Sequence, residues 1–226
     1  MSGVISSVKT DSHRRPRFIY LTGTDGSGKS TLTGLLVQEL ERSGIVCKRV
    51  WLRFPFFFSI PLLAYARWRN FSWHEINGRV NHGYWDFRKS LLLRNLFPWT
   101  LFIDGLLAAV WRIYLPLLLG RTIVCERFAL DMLVDLSIAV GDPNIVGRLP
   151  GKLFPALLPH GTQVAILDLD EDTIRSRRPD LKYDHALSAR LKAYRFLSSW
   201  LGLPMVDNHP PVNIVLQNVL ETMGLA

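Results

Sequence analysis

Gly23-Thr24-Asp25-Gly26-Ser27-Gly28-Lys29-Ser30-Thr31 is the stretch from which the rest of the chain is read. Its spacing, G-x-x-x-x-G-K-[ST], is that of a phosphate-binding loop. Glycine lets the backbone turn tightly, so several N–H groups can point into one concavity. The concavity opens onto a helix N-terminus, whose dipole favours anions. In such a loop Lys29 reaches the β- and γ-phosphates of a nucleotide, and Ser30 holds Mg2+. The flanks agree. Residues 17–22 are apolar and β-prone and read as a buried strand, while Leu32, Leu35, Leu36 and Leu40 recur along one helix face that Ser43-Gly44 ends.

Working outward, residues 46–52, 122–125, 164–169 and 203–207 read as four further strands. Helical spacing follows Leu130 as far as Gly141, and further helices are expected over 171–178, 187–201 and 211–223. The stretch 60–119 reads as mostly helical, and the Pro- and Gly-rich segment 142–161 as an irregular connection. Strands alternating with helices predict an α/β fold. Here that is a three-layer P-loop arrangement, a five-stranded parallel sheet flanked by helices, with ligands at the carboxyl ends of the strands.

A chain of 226 residues fits one domain with a sizeable core. Its 27 basic and 19 acidic side chains leave a net charge of +8, which suits a nucleotide, a nucleic acid or an anionic membrane and does not choose among them. No nucleic-acid recognition module is visible, so no nucleic-acid partner is expected. Cys47 and Cys125 lie in apolar, strand-like runs and read as buried thiols, which points to a reducing, cytoplasmic setting. Residues 1–16 lack the apolar centre of a signal peptide and read as a disordered tail. Two apolar stretches invite a membrane test. Residues 54–66 are too few to span a bilayer as a helix. Core, pocket wall and peripheral membrane contact all stay open for them, beside Arg53, Arg67 and Arg69. Residues 91–119 are interrupted by Arg94, Asp104, Arg112 and two prolines and read as a buried helical region.

The strand ends carry the remaining chemistry. Strand two ends at Arg53, strand three at Glu126-Arg127-Phe128, and strand four leads to Arg175, Arg177 and Arg178. A guanidinium fork can bond two phosphate oxygens at once, so arginines gathered on one rim suit phosphoryl transfer, a chemistry of positioning and charge neutralisation. Each also has a plain reading: Arg53 as a strand-end charge, Glu126 paired with Arg127 at the surface, and the three later arginines as a solvated helix face. Asp131 and Asp135, one turn apart, bracket a metal or base or form an acidic face. Asp104, within an apolar helix, is either substrate-facing or salt-bridged. The histidines show no ligand spacing.

Taken together, the loop at 23–31, Glu126-Arg127-Phe128 and the arginine-rich segment after Leu167-Asp168 resemble the thymidylate kinases, P-loop nucleoside monophosphate kinases, from about residue 17 to 223. The resemblance implies roles. Residues 23–31, with Arg177 and Asn208, hold ATP. Ser30 and Glu126 hold Mg2+. Lys29, Asp25, Arg127, Arg175 and Arg178 serve catalysis. Arg53, Phe54, Asp104 and Arg127 bind the acceptor. Asp25 approaches the acceptor's sugar hydroxyl, and Asn208 and His209 lie near the adenine. It also implies one kinase domain over 17–226, with an apolar helical acceptor region at about 54–119, a lid at about 171–185 and a homodimer. Departures bear on the acceptor: Trp51-Leu-Arg-Phe-Pro55 stands where the family has Arg-Glu-Pro-Gly, and the motif acid is Glu126 rather than Asp.

Three functions follow: a kinase for a small phosphorylated acceptor such as dTMP, a kinase for a nucleoside, sugar-linked or membrane-borne acceptor, and a nucleotide-binding or hydrolysing protein that works through a partner. A GTPase switch is disfavoured, since no Asn-Lys-x-Asp motif is present and strand three ends in Glu-Arg-Phe rather than Asp-x-x-Gly.

Overall fold

The computed structural model describes residues 17–53, 56–77 and 80–225. β1 (Phe18–Gly23), buried at every position, leads through the loop into α1 (Lys29–Arg42) and then β2 (Cys47–Trp51). α2 (Ile60–Trp68) precedes an antiparallel pair, β3 (Ser72–Asn77) and β4 (Val80–Trp85). α3 (Leu91–Ala109) continues through one wide π turn, Val110–Tyr114, into α4 (Leu115–Leu118). β5 (Thr122–Glu126), α5 (Ala129–Val140), α6 (Leu149–Leu153) and β6 (Gln163–Asp168) follow. α7 (Glu171–Arg177), α8 (Leu187–Leu201), β7 (Met205–Asp207) and α9 (Val212–Thr222) complete the chain.

The main sheet has five parallel strands in the order β2-β5-β1-β6-β7. Successive strand residues face opposite sides. Ile19 and Leu21 of β1 pack beneath Leu32 and Leu36 of α1 and Val215 and Val219 of α9. Phe18 and Tyr20 join the larger core built with α3, α5 and α8. A strand covered on both faces is apolar throughout, which is why β1 shows no alternation. The chain leaves β1 between neighbours reached in opposite directions, and the crevice at such a switch point is where α/β proteins bind ligands.

The structure departs from the sequence reading in three places. The stretch 60–119 is mostly helical as expected, but β3 and β4 interrupt it, with Asn77 paired to Val80. Gly78-Arg79 stands between these two in the sequence, and a glycine first of two loop residues is the signal for a hairpin. The segment 142–161 is not irregular. It holds the short 3-10 turns Pro143–Gly147 and Pro155–Leu157 around α6, each begun near a proline whose fixed φ suits a first helical turn. The helical run from 91 to 119 is not buried as a whole: Leu93, Phe97, Leu101 and Ile113 face the core, while Leu92, Leu96, Ile103, Leu107 and Trp111 are exposed. The π turn precedes Pro116, whose ring cannot donate and crowds the carbonyl one turn back; the wider turn relieves that clash.

Candidate functional site

The loop after β1 is built on glycine. Gly23, Gly26 and Gly28 have φ of 140°, 83° and 83°, which other residues adopt only under strain. A Cβ on Gly28 would stand 2.5 Å from Asn208 Nδ2, and one on Gly23 would stand 2.5 Å from the Leu167 carbonyl. Asn208 is buried and donates from Nδ2 to the Ser27 carbonyl at 2.6 Å. Asn208 thus braces the loop through its side chain. Arg177 donates to the Asn208 carbonyl at 3.1 Å and so ties α7 to that brace.

Within the loop, Lys29 is buried and its Nζ donates to the Thr24 carbonyl. Burial lowers its pKa to about 8, against the opposing pull of Asp131. Thr24 Oγ1 is buried without a hydrogen-bond partner. Ser30 Oγ donates to Glu126 Oε1 at 2.5 Å, and Glu126 Oε2 accepts from Arg49 at 2.6 Å. The hydroxyl and carboxylate expected to share a cation are thus in contact. Thr31 is exposed on the outside of the first turn of α1.

Glu126 and Arg127 do not pair with each other. Arg127 has φ 63°, left-handed for a non-glycine residue, which costs about 1 kcal/mol or more. This conformation turns its guanidinium toward Asp25 of the loop and to 3.3 Å from Asp131. Asp25 also pairs with Arg53 at 2.9 Å, and Arg53 reaches Asp135 at 3.3 Å. Arg190 stands 3.6 Å from Asp135 and 2.6 Å from Asp184, which also accepts from the Tyr84 hydroxyl at 3.1 Å. Charges of alternating sign therefore run in an unbroken chain from the end of β5, across the loop, to β4.

The two aspartates of α5 divide their labour: Asp131 is an acid of the helix N-terminus, in the first turn, but it is buried and not solvated. Asp131 is buried and accepts from Tyr20 (2.6 Å), Thr22 (2.8 Å), Tyr194 (2.7 Å) and the Phe128 N–H (3.0 Å), a structural hub. Burial, then the Asp131 charge, pushes the Tyr20 and Tyr194 hydroxyls well above their ordinary pKa, so both remain donors. Asp135 faces a cavity.

That cavity has a volume of about 570 Å³. Asp25, Arg53, Asp135, Asp184 and Arg190 form its polar side, and Phe56, Trp73, Tyr84, Trp85, Phe87 and Phe97 its aromatic wall. Trp73 stacks on Tyr84, with centroids 5.5 Å apart and planes 26° from parallel. Desolvation, then Asp184, pushes the Tyr84 hydroxyl up to about 12. Sequence reasoning missed Arg190, Asp184 and the β3–β4 aromatics.

Other expected site residues lie elsewhere. Asp104 is not in the cavity, nor is it salt-bridged. Buried in α3, it accepts the N–H groups of Phe57 (3.0 Å), Phe58 (2.7 Å) and Ser59 (2.9 Å), and so caps α2 from outside. Phe54 lies outside the described residues. Arg175 bonds Glu171 and the carbonyls of Leu181, Lys182 and Asp184, holding residues 181–184 against α7. Arg178 pairs with Asp180 at 2.7 Å. The segment lies on the loop: a Cβ on Gly26 would meet Ile174, Leu181 and Arg178. His209 lies between Asp170 and Asp207, whose carboxylates raise its pKa.

No protein-family model matches the chain, and no curated protein matches it by sequence. Among solved structures, thymidylate kinase from Ehrlichia chaffeensis is similar over 92% of this chain and 98% of that one, with a TM-score of 0.55 and 17% sequence identity. The chain has a thymidylate kinase-like α/β fold, a five-stranded parallel sheet flanked by helices.

Proposed function

We propose that this chain is an ATP- and Mg2+-dependent phosphotransferase that moves the γ-phosphoryl of ATP to a small acceptor, first among candidates a nucleoside monophosphate such as dTMP. One observation carries the reading. The Arg53–Asp25–Arg127 link lies between a phosphate cradle and an aromatic cavity, so cations stand at the boundary of two different binding sites.

The residues present suit the donor. Gly26 and Gly28 hold the positive φ that such a loop needs and are backed by Ile174, Leu181 and Asn208, Thr24 Oγ1 lacks an internal partner, and Lys29 is buried within the loop. Residues 23–31 would hold the phosphates, and Ser30 with Glu126 would hold Mg2+, whose chemistry is to offset phosphate charge. Lys29 and Arg127 then supply fixed positive charge where negative charge develops. Asp25 keeps both Arg53 and Arg127 aimed at that space before ligands arrive, so little reorganisation is needed at the moment of reaction. The cavity volume falls within the range of about 300–1,000 Å³ usual for small-molecule sites, and its stacked rings suit a flat, apolar group such as a base. The two free thiols, Cys47 and Cys125, support a reducing, cytoplasmic setting.

An acceptor panel with coupled ADP detection tests the proposal. A nucleoside monophosphate should raise ADP formation well above the rate with ATP alone. If dTMP is inert and a nucleoside or lipid-borne phosphate is active, only the acceptor assignment falls. If nothing on the panel raises the rate, transfer itself falls in favour of hydrolysis.

A further inference from the structure

The long helix from Leu91 to Leu118 has two apolar faces, and only one is used. Its 28 residues are long and apolar enough to cross a bilayer. Its inner face belongs to the main core through Leu93, Phe97, Leu101, Ile113 and Leu117, so the helix lies along the protein and does not leave it. At about 1.5 Å per residue the outer face is a stripe some 40 Å long. Leu92, Leu96, Ile103, Leu107, Trp111 and Leu118 repeat along it at helical spacing, with Trp111 72% and Leu118 82% exposed. Phe57, 68% exposed, and Phe58 extend the stripe, since Asp104 ties their backbone to α3.

We infer that this face docks on an anionic membrane surface. The charge pattern decides the occupant. Across residues 56–73, 87–121 and 143–160 the sole acidic residue is Asp104, which is buried and already accepts three N–H groups. The same segments carry Arg67, Arg69, Arg94, Arg112, Arg121 and Lys152, all of them exposed. A second copy placed on the stripe would bring like-charged segments together, with no exposed acid from these segments to offset them. Anionic headgroups supply the missing charge, and an exposed apolar stripe that carries Trp111, on a helix that also exposes Arg94 and Arg112, suits the boundary between acyl chains and headgroups. Trp68, 75% exposed at the end of α2, adds a second exposed indole. The inference stands apart from the proposed catalytic activity.

Co-sedimentation of the full chain with vesicles tests it. Phosphatidylcholine vesicles containing roughly a third phosphatidylglycerol should pellet the protein about tenfold more strongly than phosphatidylcholine alone, and added salt should narrow the difference. Leu107→Gln with Trp111→Gln changes exposed side chains only. It should lower binding about tenfold with an unchanged circular dichroism spectrum. Arg94→Glu with Arg112→Glu should remove the preference for anionic lipid. Brominated lipid should quench the tryptophan emission of the unaltered protein, a reading that depends on no variant. The inference is overturned by absence of quenching, by equal binding of all variants, or by a dimer without vesicle binding that the Leu107/Trp111 variant dissociates.

Discussion

The phosphate loop and the aromatic cavity stand on either side of Asp25, and they are made in opposite ways. The loop is one continuous stretch defined by backbone shape: three glycines at positive φ, with Asn208 filling the space a Cβ on Gly28 would need. The cavity is a meeting of side chains from α2, β3, β4, α3, α5 and α8. Its contacts join residues far apart in sequence, such as Arg53 with Asp135 and Tyr84 with Asp184. Backbone shape is written locally and tolerates little change. A wall of side chains is written at a distance and can be altered piece by piece.

The comparison is most exposed to Lys29→Ala. Removing the one buried cation of the loop should lower ATP-dependent turnover about a thousandfold while the fold persists, measured by ADP release and circular dichroism. Full activity in that variant would overturn the donor assignment altogether. Asp104→Asn comes next. It weakens three bonds to α2 and should cost about 1–3 kcal/mol in denaturant unfolding, leaving the KM for ATP unchanged. A selective rise in acceptor KM without loss of stability would return Asp104 to the binding site. Trp73→Ala should raise acceptor KM about tenfold with little effect on the KM for ATP, the signature of a wall that can be altered on its own. Smallest is the effect of pH on the Asp170–His209–Asp207 clasp between α7 and the end of β7. Because the folded pKa of His209 is raised, the clasp is fully formed below the ordinary value of 6.5 and is lost as pH rises through the raised one. The ring resonances of His209 should titrate above 6.5, and Asp170→Asn should bring the midpoint back down.

The same contrast explains what the residues disclose when read alone. Most of the five parallel strands are legible because they are short apolar runs bounded by Gly, Pro or charge, and the strand ends are legible because parallel strands share one rim. Lys29, Ser30, Glu126, Arg53 and Arg127 are therefore all found, and the structure gathers them. The β3–β4 pair is lost within an aromatic, apolar stretch whose overall hydrophobicity outweighs the brief signal of Gly78. Arg190 and Asp184 escape because a lone charge on a helix or in a loop looks like a solvated face until its partner is known. Asp104 misleads for a related reason. A buried acid needs donors, and nothing near it in sequence shows that those donors are the backbone of residues 57–59.

On the proposed function, the alternating charges from Arg127 to Asp184 would make the site an ion exchanger. Arg53, Arg127 and Arg190 are already paired with Asp25, Asp135 and Asp184, so an arriving phosphate would trade places with a carboxylate and not fill an unmet demand. Added salt loosens the outgoing and incoming pairs together. Acceptor affinity should accordingly change less with ionic strength than the number of arginines around the cavity suggests, which titrations at low and high salt would measure. Selectivity then rests on geometry, because only a group able to reach two guanidinium forks at once competes with the carboxylates it displaces.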